Sequence, residues 1–493
     1  MLQTLKNAWK TPDIRKKILY VLAILLIYRI GTVVPVPFVD ASSFSANFGN
    51  TIFAYMDVLS GGSLSSATLF ALGISPYITA SIIIQLLGVA IPSLANWIKK
   101  QNGRNEMLTR IGTVILAIIT GIGYYLLLKN NHMLSHQITA LDNKAINALV
   151  GIVIVACYCA GASIVMWLGE KINENGLGNG ISLILFANII SSLPSSFINM
   201  GYLIKNAFDI QVSDSVTKGD KAGLVALAIG LVVVILLALV LLTVFVIFVT
   251  GSERRIPITY AKRVVGRKMY GGQNTNLPIK MNMTGVMPVI FASSIISLIP
   301  TILTLCGIQN KGSYDACGTG WIGFCEKMNI FFSQDRWFYP VCLFLLIIAF
   351  SYFYAEISFN PTEISNNLKK NGGMIPGIRQ GRPTADFIKA VVKKVTFVGA
   401  LFLGVIAILP IIASPLAIEP IVSKIIENSP GMSFYKLYFG EETFKSFVAA
   451  EATRYTSAFA FGGTSLLIVV GVVQETFREL EAQLTMRNYK GFL

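Results

Sequence analysis

Histidine and charge are scarce in this chain, and the sequence marks of an active site are missing. His132 and His136 are its only histidines. Four residues apart, they could share a helical face as metal ligands, but no third ligand stands near, so a solvated pair is the expectation. There is no HExxH, no GxxxxGK followed by Ser or Thr, no GxSxG and no CxxC. A metalloprotease, a P-loop nucleotide site, a serine hydrolase and a dithiol redox centre are therefore without their chemistry. "GLGNG", residues 176–180, is glycine-rich enough to cradle phosphate, but it stands just before an apolar run and reads as the turn into it. Charged residues are only 13% of the chain, too few for the water-facing surface of a soluble protein.

What the chain has instead is apolar sequence. Of its 493 residues 54% are hydrophobic, and the mean hydropathy is +0.65. This is the composition of a polytopic membrane protein. A span needs roughly 20 apolar residues to cross about 30 Å of hydrocarbon, and ten segments qualify, near 18–36, 74–92, 111–128, 148–168, 181–200, 223–250, 285–306, 337–358, 395–414 and 457–476. Lys6, Lys10, Arg15, Lys16 and Lys17 precede the first of them like the start of a signal peptide. "VVPVPF" then stands where a small-residue cleavage site would be, so a permanent span is expected. With the N-terminus inside, the inward segments carry 27 Lys/Arg and the outward ones 12, which sets the orientation and puts both termini on the cytoplasmic side.

Within the spans, charge is limited to Arg29, near enough to the outer boundary to snorkel, and Glu356 near an inner end. No buried acid offers the ion site that a coupled carrier needs. Cys157, Cys159, Cys306 and Cys342 fall in or at the ends of spans and read as small packing residues. Cys317 and Cys325 share an outward loop, close in sequence and in the compartment where disulfides persist, so a bridge between them is expected.

Ten spans divide into residues 1–222 and 223–493, five in each, and the odd number lets the second half run inverted relative to the first. Two inward loops, about 251–284 and 359–394, carry seven Lys/Arg each. They are longer than topology requires and rich in Gly, Pro and Asn, suited to a large acidic or anionic partner. One stretch is odd in another way. "DVLSGGSLSSATLFALGISPYITASIIIQLL", residues 57–87, is long enough to span, yet its first half is studded with Gly and Ser and its middle holds Pro76.

Residues resolve the oddity when taken in order. "LSGGSLSSATLFALGISPYITASIIIQLL", "GLGNGISLILFANII", "RRIPITYAKRVVGRKMYGGQ", "VMPVIFASSI", "NPTEISNNLKKNGGMIPGIRQGRPT" and "FGGTSLLIVVGVVQE" together resemble the SecY family, the pore-forming subunits of the bacterial protein-conducting channel. The match runs from about residue 10 to 490. Outward regions near 129–147, 307–335 and 415–455 are longer than, or unlike, the loops usual in that family, and Gln380 stands where Pro is common.

The resemblance implies an all-α polytopic membrane protein of the bacterial plasma membrane, with ten transmembrane helices in two inverted five-helix halves around a central hourglass pore. Residues 57–72, with Gly61, Gly62, Ser63 and Leu64, would fold back as a re-entrant plug. Irregular backbone at membrane depth is tolerated where it lines a cavity. The pore ring would be Ile78, Ile82, Leu185, Ile189, Ile290 and Ile468. A lateral gate would lie between the second and third spans and the seventh and eighth, where Gln85, Ser293, Ser294 and Ser297 could make weak polar contacts; ordinary helix packing is the plainer reading of those four. Arg254, Arg255 and Arg379 would dock a ribosome or the SecA motor. SecE-like and SecG-like small membrane subunits, signal sequences and unfolded preproteins complete the implied partners. No cofactor, metal or enzymatic activity is implied. Two other classes stay open: a small-solute secondary transporter on a five-plus-five inverted repeat, and an intramembrane hydrolase, for which no nucleophile and base pair is seen.

Overall fold

The computed structural model describes residues 2–39, 60–91, 104–130, 144–209, 218–260, 263–265, 268–270, 274–283, 285–305, 320–332, 336–427 and 463–490, with isolated positions between them. The helices are α1 (Leu2–Lys10), α2 (Pro12–Gly31), α3 (Ser75–Ala90), α4 (Arg104–Asn130), α5 (Lys144–Asn175), α6 (Gly180–Phe208), α7 (Lys218–Gly251), α8 (Met287–Leu305), α9 (Gly320–Phe331), α10 (Phe338–Ser358), α11 (Pro361–Lys370), α12 (Arg382–Ala413), α13 (Glu419–Glu427) and α14 (Thr464–Lys490). Each of the ten expected spans coincides with one of α2, α3, α4, α5, α6, α7, α8, α10, α12 and α14.

Among the described residues, six stretches are long and apolar enough on their own to cross a membrane: Arg104–Leu126, Ile146–Asn175, Gly180–Phe208, Ala222–Gly251, Phe338–Lys370 and Arg382–Glu427. The other four fall short for visible reasons. α2 carries Arg15, Lys16, Lys17 and Arg29, while Ser75–Ala90 of α3 and Met287–Leu303 of α8 are apolar but shorter. The second half of α14 is "ETFRELEAQLTMRNYK". α2 also stops at Gly31 rather than 36, because the chain turns there and pairs with residues of 60–74. α12 begins well before its apolar run, at Arg382, with Pro383 in its first turn, where the missing N–H costs nothing.

Helix starts follow from capping. Asn179 ends "GLGN" as the N-cap of α6, its side chain accepting from the N–H groups of Ile181 and Ser182. The N–H of Gly180 donates to Asn173 Oδ1 (2.7 Å) and that of Gly178 to Glu479 (2.9 Å), so this loop is a turn with its donors already used. Asn360 caps α11 ahead of Pro361.

The inward loops add strands that the sequence reading did not foresee. β1 (Glu253–Tyr260) pairs antiparallel with β4 (Asn274–Lys280), in register from Glu253 opposite Lys280 to Thr259 opposite Asn274. β2 (Arg263–Val265) and β3 (Lys268–Tyr270) form the tip hairpin. β5 (Gly373–Met374), from the second loop, adds to β1 at Thr259 and Tyr260. Ile256 and Ile258 alternate inward on β1. They pack with Ile279, Leu368, Ile375, Ile388 and Val392, so the two long loops share one small apolar core.

The main core joins α2, α3, α5, α6, α8, α10, α12 and α14, with Val246 of α7. The rest of α7, the most apolar of the six stretches, faces outward, with Val234, Val240, Leu241 and Phe248 exposed. A helix apolar on every side and exposed in isolation is placed to meet lipid.

Candidate functional site

Six aliphatic side chains named by the resemblance are buried in the main core. Ile78 and Ile82 lie one turn apart on α3, Leu185 and Ile189 one turn apart on α6, Ile290 is near the start of α8, and Ile468 is near the start of α14. None is more than 5% exposed, and all belong to one apolar cluster. α3 packs on α8, α8 on α14 and α14 on α6, so the residues that the resemblance assigned to a ring come from four helices packed in succession.

Residues 60–74 lie against this cluster as a compact run of turns, with α3 starting at Ser75. Pro35 and Thr68 form an antiparallel bridge: Val36 N–H donates to Ala67 O (3.1 Å) and Leu69 N–H to Val34 O (2.9 Å). Inside the run, Ser63 Oγ donates to Ser60 O (2.8 Å) and Thr68 Oγ1 to Ser63 O (3.1 Å). The serines thus close turns that helical hydrogen bonds would otherwise supply. Leu64, Ala71 and Leu72 are buried against Ala117, Tyr124 and Leu128 of α4 and Ile154 and Tyr158 of α5. Phe70 stacks on Tyr28 of α2, centroids 5.5 Å apart.

Two glycines in and around this run are required. Gly61 has φ of +69°, and a Cβ there would stand 3.0 Å from Arg29 Nη1 and 3.2 Å from Asn188. At Gly161 of α5, a Cβ would collide with the carbonyl of Leu69.

Arg29 corrects one expectation. It does not snorkel outward; its Nη2 donates to the backbone carbonyl of Ala187 in α6, and Ser191 of the same helix donates to Gly61 O at 3.4 Å. A half-buried guanidinium with a carbonyl acceptor within reach is stabilised by that contact more than by a distant interface. Sequence reasoning placed Arg29 correctly in the span but gave no partner, because Ala187 is 158 residues away.

At the seam between α3 and α4 on one side and α8 and α10 on the other, α8 packs against both α3 and α4. A polar contact across it runs from the hydroxyl of Tyr354 on α10 to Gln85 Oε1, while Gln85 Nε2 donates to Ser81 within α3 (3.1 Å). Ser293 and Ser294 donate to Ile290 O (2.9 and 2.8 Å), and Ser297 to Ser294 O (3.0 Å). These three hydroxyls are spent on their own helix, as Ser often is in apolar helices. Tyr354, missed in the sequence, lies 5.1 Å centroid to centroid from Phe291 of α8, which also meets Phe350.

Arg254 and Arg255 are exposed at the start of β1 and, as neighbours on a strand, leave opposite faces. Arg255 Nε pairs with Glu253 Oε1 at 2.7 Å, an exposed contact that contributes little. Arg379 is exposed in the loop between β5 and α12. That loop is held from below by the buried Ile375, by Gln380 Nε2 donating to Gly373 O (3.1 Å), and by Thr384 Oγ1 donating to Arg379 O (2.7 Å).

A family model described as SecY matches residues 68–433. The chain belongs to the SecY family. Curated relatives named "Protein translocase subunit SecY" from Streptomyces scabiei and Corynebacterium glutamicum are each 38% identical to it, covering 100% and 99% of both chains respectively. One from Mycobacterium tuberculosis is 36% identical over 100% of both. Among solved structures, "The structure of a protein conducting channel" matches with a TM-score of 0.56 at 17% identity, over 94% of this chain and 91% of that one. "Sec61 in the Canine ribosome-channel complex from the endoplasmic reticulum" matches at 0.55 and 16%, over 94% and 91%. The fold is thus the SecY fold of ten helices with a plug.

Cys325 is a free, buried thiol on α9; Cys317, the other half of the expected bridge, lies outside the described residues, as do His132 and His136. Among the described residues no group of three or more His, Cys, Asp or Glu could hold a metal.

Proposed function

We infer that this SecY-family chain is the central subunit of a gated protein-conducting channel, passing unfolded secretory polypeptides across the bacterial plasma membrane and releasing transmembrane segments sideways into lipid. The observation that carries the reading is the joining of six buried aliphatic side chains from four helices with a hydroxyl-rich, irregular segment packed beside them. A constriction of flexible aliphatics sheds water when closed and yields to a chain without binding it, which is what transport indifferent to sequence requires. Residues 60–74 act as the plug, the α3/α4 and α8/α10 seam as the lateral gate, and residues 1–222 and 223–493 as halves that rock about the pore.

Energy comes from a partner. The fused inner loops, with Arg254, Arg255 and Arg379 exposed, receive a ribosome or a SecA-like motor, and SecE-like and SecG-like subunits brace the halves. The chain is multi-pass, with both termini cytoplasmic, and does no enzymatic chemistry of its own.

The test is the ring. In proteoliposomes, Ile82→Asn or Ile468→Asn should raise ion leak and the export of substrates with defective signal sequences, because a polar group in a dry constriction favours water entry. Leu185→Ile, which keeps volume and polarity, should change little. Asn variants as ion-tight and selective as the parent would remove these residues from the gate.

A further inference from the structure

A cleft of about 410 Å³ opens at the foot of α10, between its last turn, α11 and the first turns of α12. Its rim mixes both signs of charge: Glu356 on α10, and Asp386, Lys389 and Lys393 on α12. All four are exposed, and none forms an ion pair within 4 Å among the described residues. On α12, Asp386, Lys389, Lys393 and Thr396 follow 3–4–3 spacing and so form one stripe.

Thr396 is the deeper clue. It lines the cleft, is 6% exposed, and its Oγ1 has no hydrogen-bond partner. Helical threonines elsewhere in this chain return their hydroxyl to the carbonyl four residues back, as Thr113, Thr250 and Thr476 do. A buried hydroxyl without a partner costs free energy unless something enters to bond it.

The surroundings indicate what enters. The row on which Lys389 and Lys393 lie continues every fourth residue as Phe397, Leu401, Val405 and Leu409, all exposed apolar side chains on a membrane-spanning helix. Two cations at the foot of a lipid-facing apolar row match an amphiphile: a phosphate above acyl chains. The two carboxylates beside them match a second, positive charge on the same headgroup.

We propose that this cleft is a binding site for one aminophospholipid headgroup, its phosphate held by Lys389 and Lys393, its ammonium by Glu356 and Asp386, and its phosphoryl or glycerol oxygens by the hydroxyl of Thr396. A soluble phosphoanion would use the lysines but leave both acids and the apolar row unexplained. An acidic lipid such as phosphatidylglycerol would be repelled by the acids.

The experiment is native mass spectrometry of the complete membrane complex released from nanodiscs containing equal phosphatidylethanolamine and phosphatidylglycerol. The wild type should retain phosphatidylethanolamine preferentially. Lys389→Gln and Lys393→Gln should each lower retention of both lipids by about fivefold. Glu356→Gln with Asp386→Asn should leave total retention high but reverse the preference toward phosphatidylglycerol, a readout that loss of folding cannot mimic. Inorganic phosphate and free phosphoethanolamine are added as competitors; displacement by either as effective as by lipid would show a soluble-anion site and overturn the proposal. Equal retention of the two lipids by the wild type and all variants would overturn it. So would a photoreactive probe at Thr396→Cys that captured a subunit polypeptide rather than lipid.

Discussion

Single residues decide how tightly the plug and seam are held. Gly161 lies so close to the Leu69 carbonyl that any side chain must displace it. Gly161→Ala should therefore destabilise the closed arrangement by about 1–3 kcal/mol, the usual cost of overpacking a filled site. Thermal unfolding of the detergent-solubilised complex should show a lower midpoint, and proteoliposomes should leak ions; an unchanged midpoint with tight vesicles would show that the 60–74 run does not depend on this contact. Tyr354→Phe removes the hydroxyl that reaches Gln85 across the seam while keeping the ring against Phe291. Interhelical hydrogen bonds in membranes contribute about 1 kcal/mol, so the seam should part more readily and weakened signal sequences should crosslink to α3 several-fold more. Ser293→Ala and Ser297→Ala, whose hydroxyls bond within α8, should have no such effect. Of these positions the sequence indicated Gln85 and the serines through the resemblance. It did not indicate Tyr354, because an aromatic in an apolar run carries no mark of the helix its hydroxyl will face.

At the scale of elements, the two inner loops behave as one. β5 joins β1, and Ile375 and Leu368 of the second loop share a core with Ile256, Ile258 and Ile279 of the first. The Arg379 loop is therefore a fixed tip on a small sheet, where part of the entropic cost of docking has already been met. Arg379→Glu exchanges an attractive contact for a repulsive one, a change that reaches several kcal/mol at a desolvated interface. Insertion and subunit assembly should be normal, and motor-driven or ribosome-coupled translocation in reconstituted vesicles should fall severely. Lys370→Glu, at the end of α11 and away from that tip, should be milder. If the Arg379 variant translocates at the parental rate, the basic loops serve topology alone. The strands themselves were hidden in the sequence: "ERRIPITY" alternates only twice, and its partner "NTNLPIK" is polar. Their pairing depends on Ile256, Ile258 and Ile279 finding a shared core rather than on local propensity.

At the scale of the molecule, the helices divide between a central packed cluster and a lipid-facing periphery, and charge collects in the inward loops. Docking by arginine and lysine releases counterions and is screened. Association with ribosomes should weaken steeply as salt is raised, whereas co-purification of SecE-like and SecG-like subunits in mild detergent should persist, since apolar packing is not screened. Salt-independent ribosome association would place the contact on apolar surface instead. Co-purification without any small membrane subunit would contradict the proposed assembly.

The sequence alone determined the membrane class and the number and order of the spans, because length and hydropathy are one-dimensional quantities that a bilayer reads directly; the Lys/Arg bias carries the proposed orientation. Through resemblance it also indicated the six aliphatics. Tertiary structure decided what those quantities leave degenerate. An isoleucine in a span reads the same whether it meets lipid or Ile189, and a hydroxyl reads the same whether it bonds its own helix or a neighbour's. The direction of Arg29 toward Ala187, the free Cys325, the Gln85–Tyr354 contact and the sheet joining the inner loops all depend on residues far apart in the chain. Packing and hydrogen bonding select among such partners only after the helices have come together.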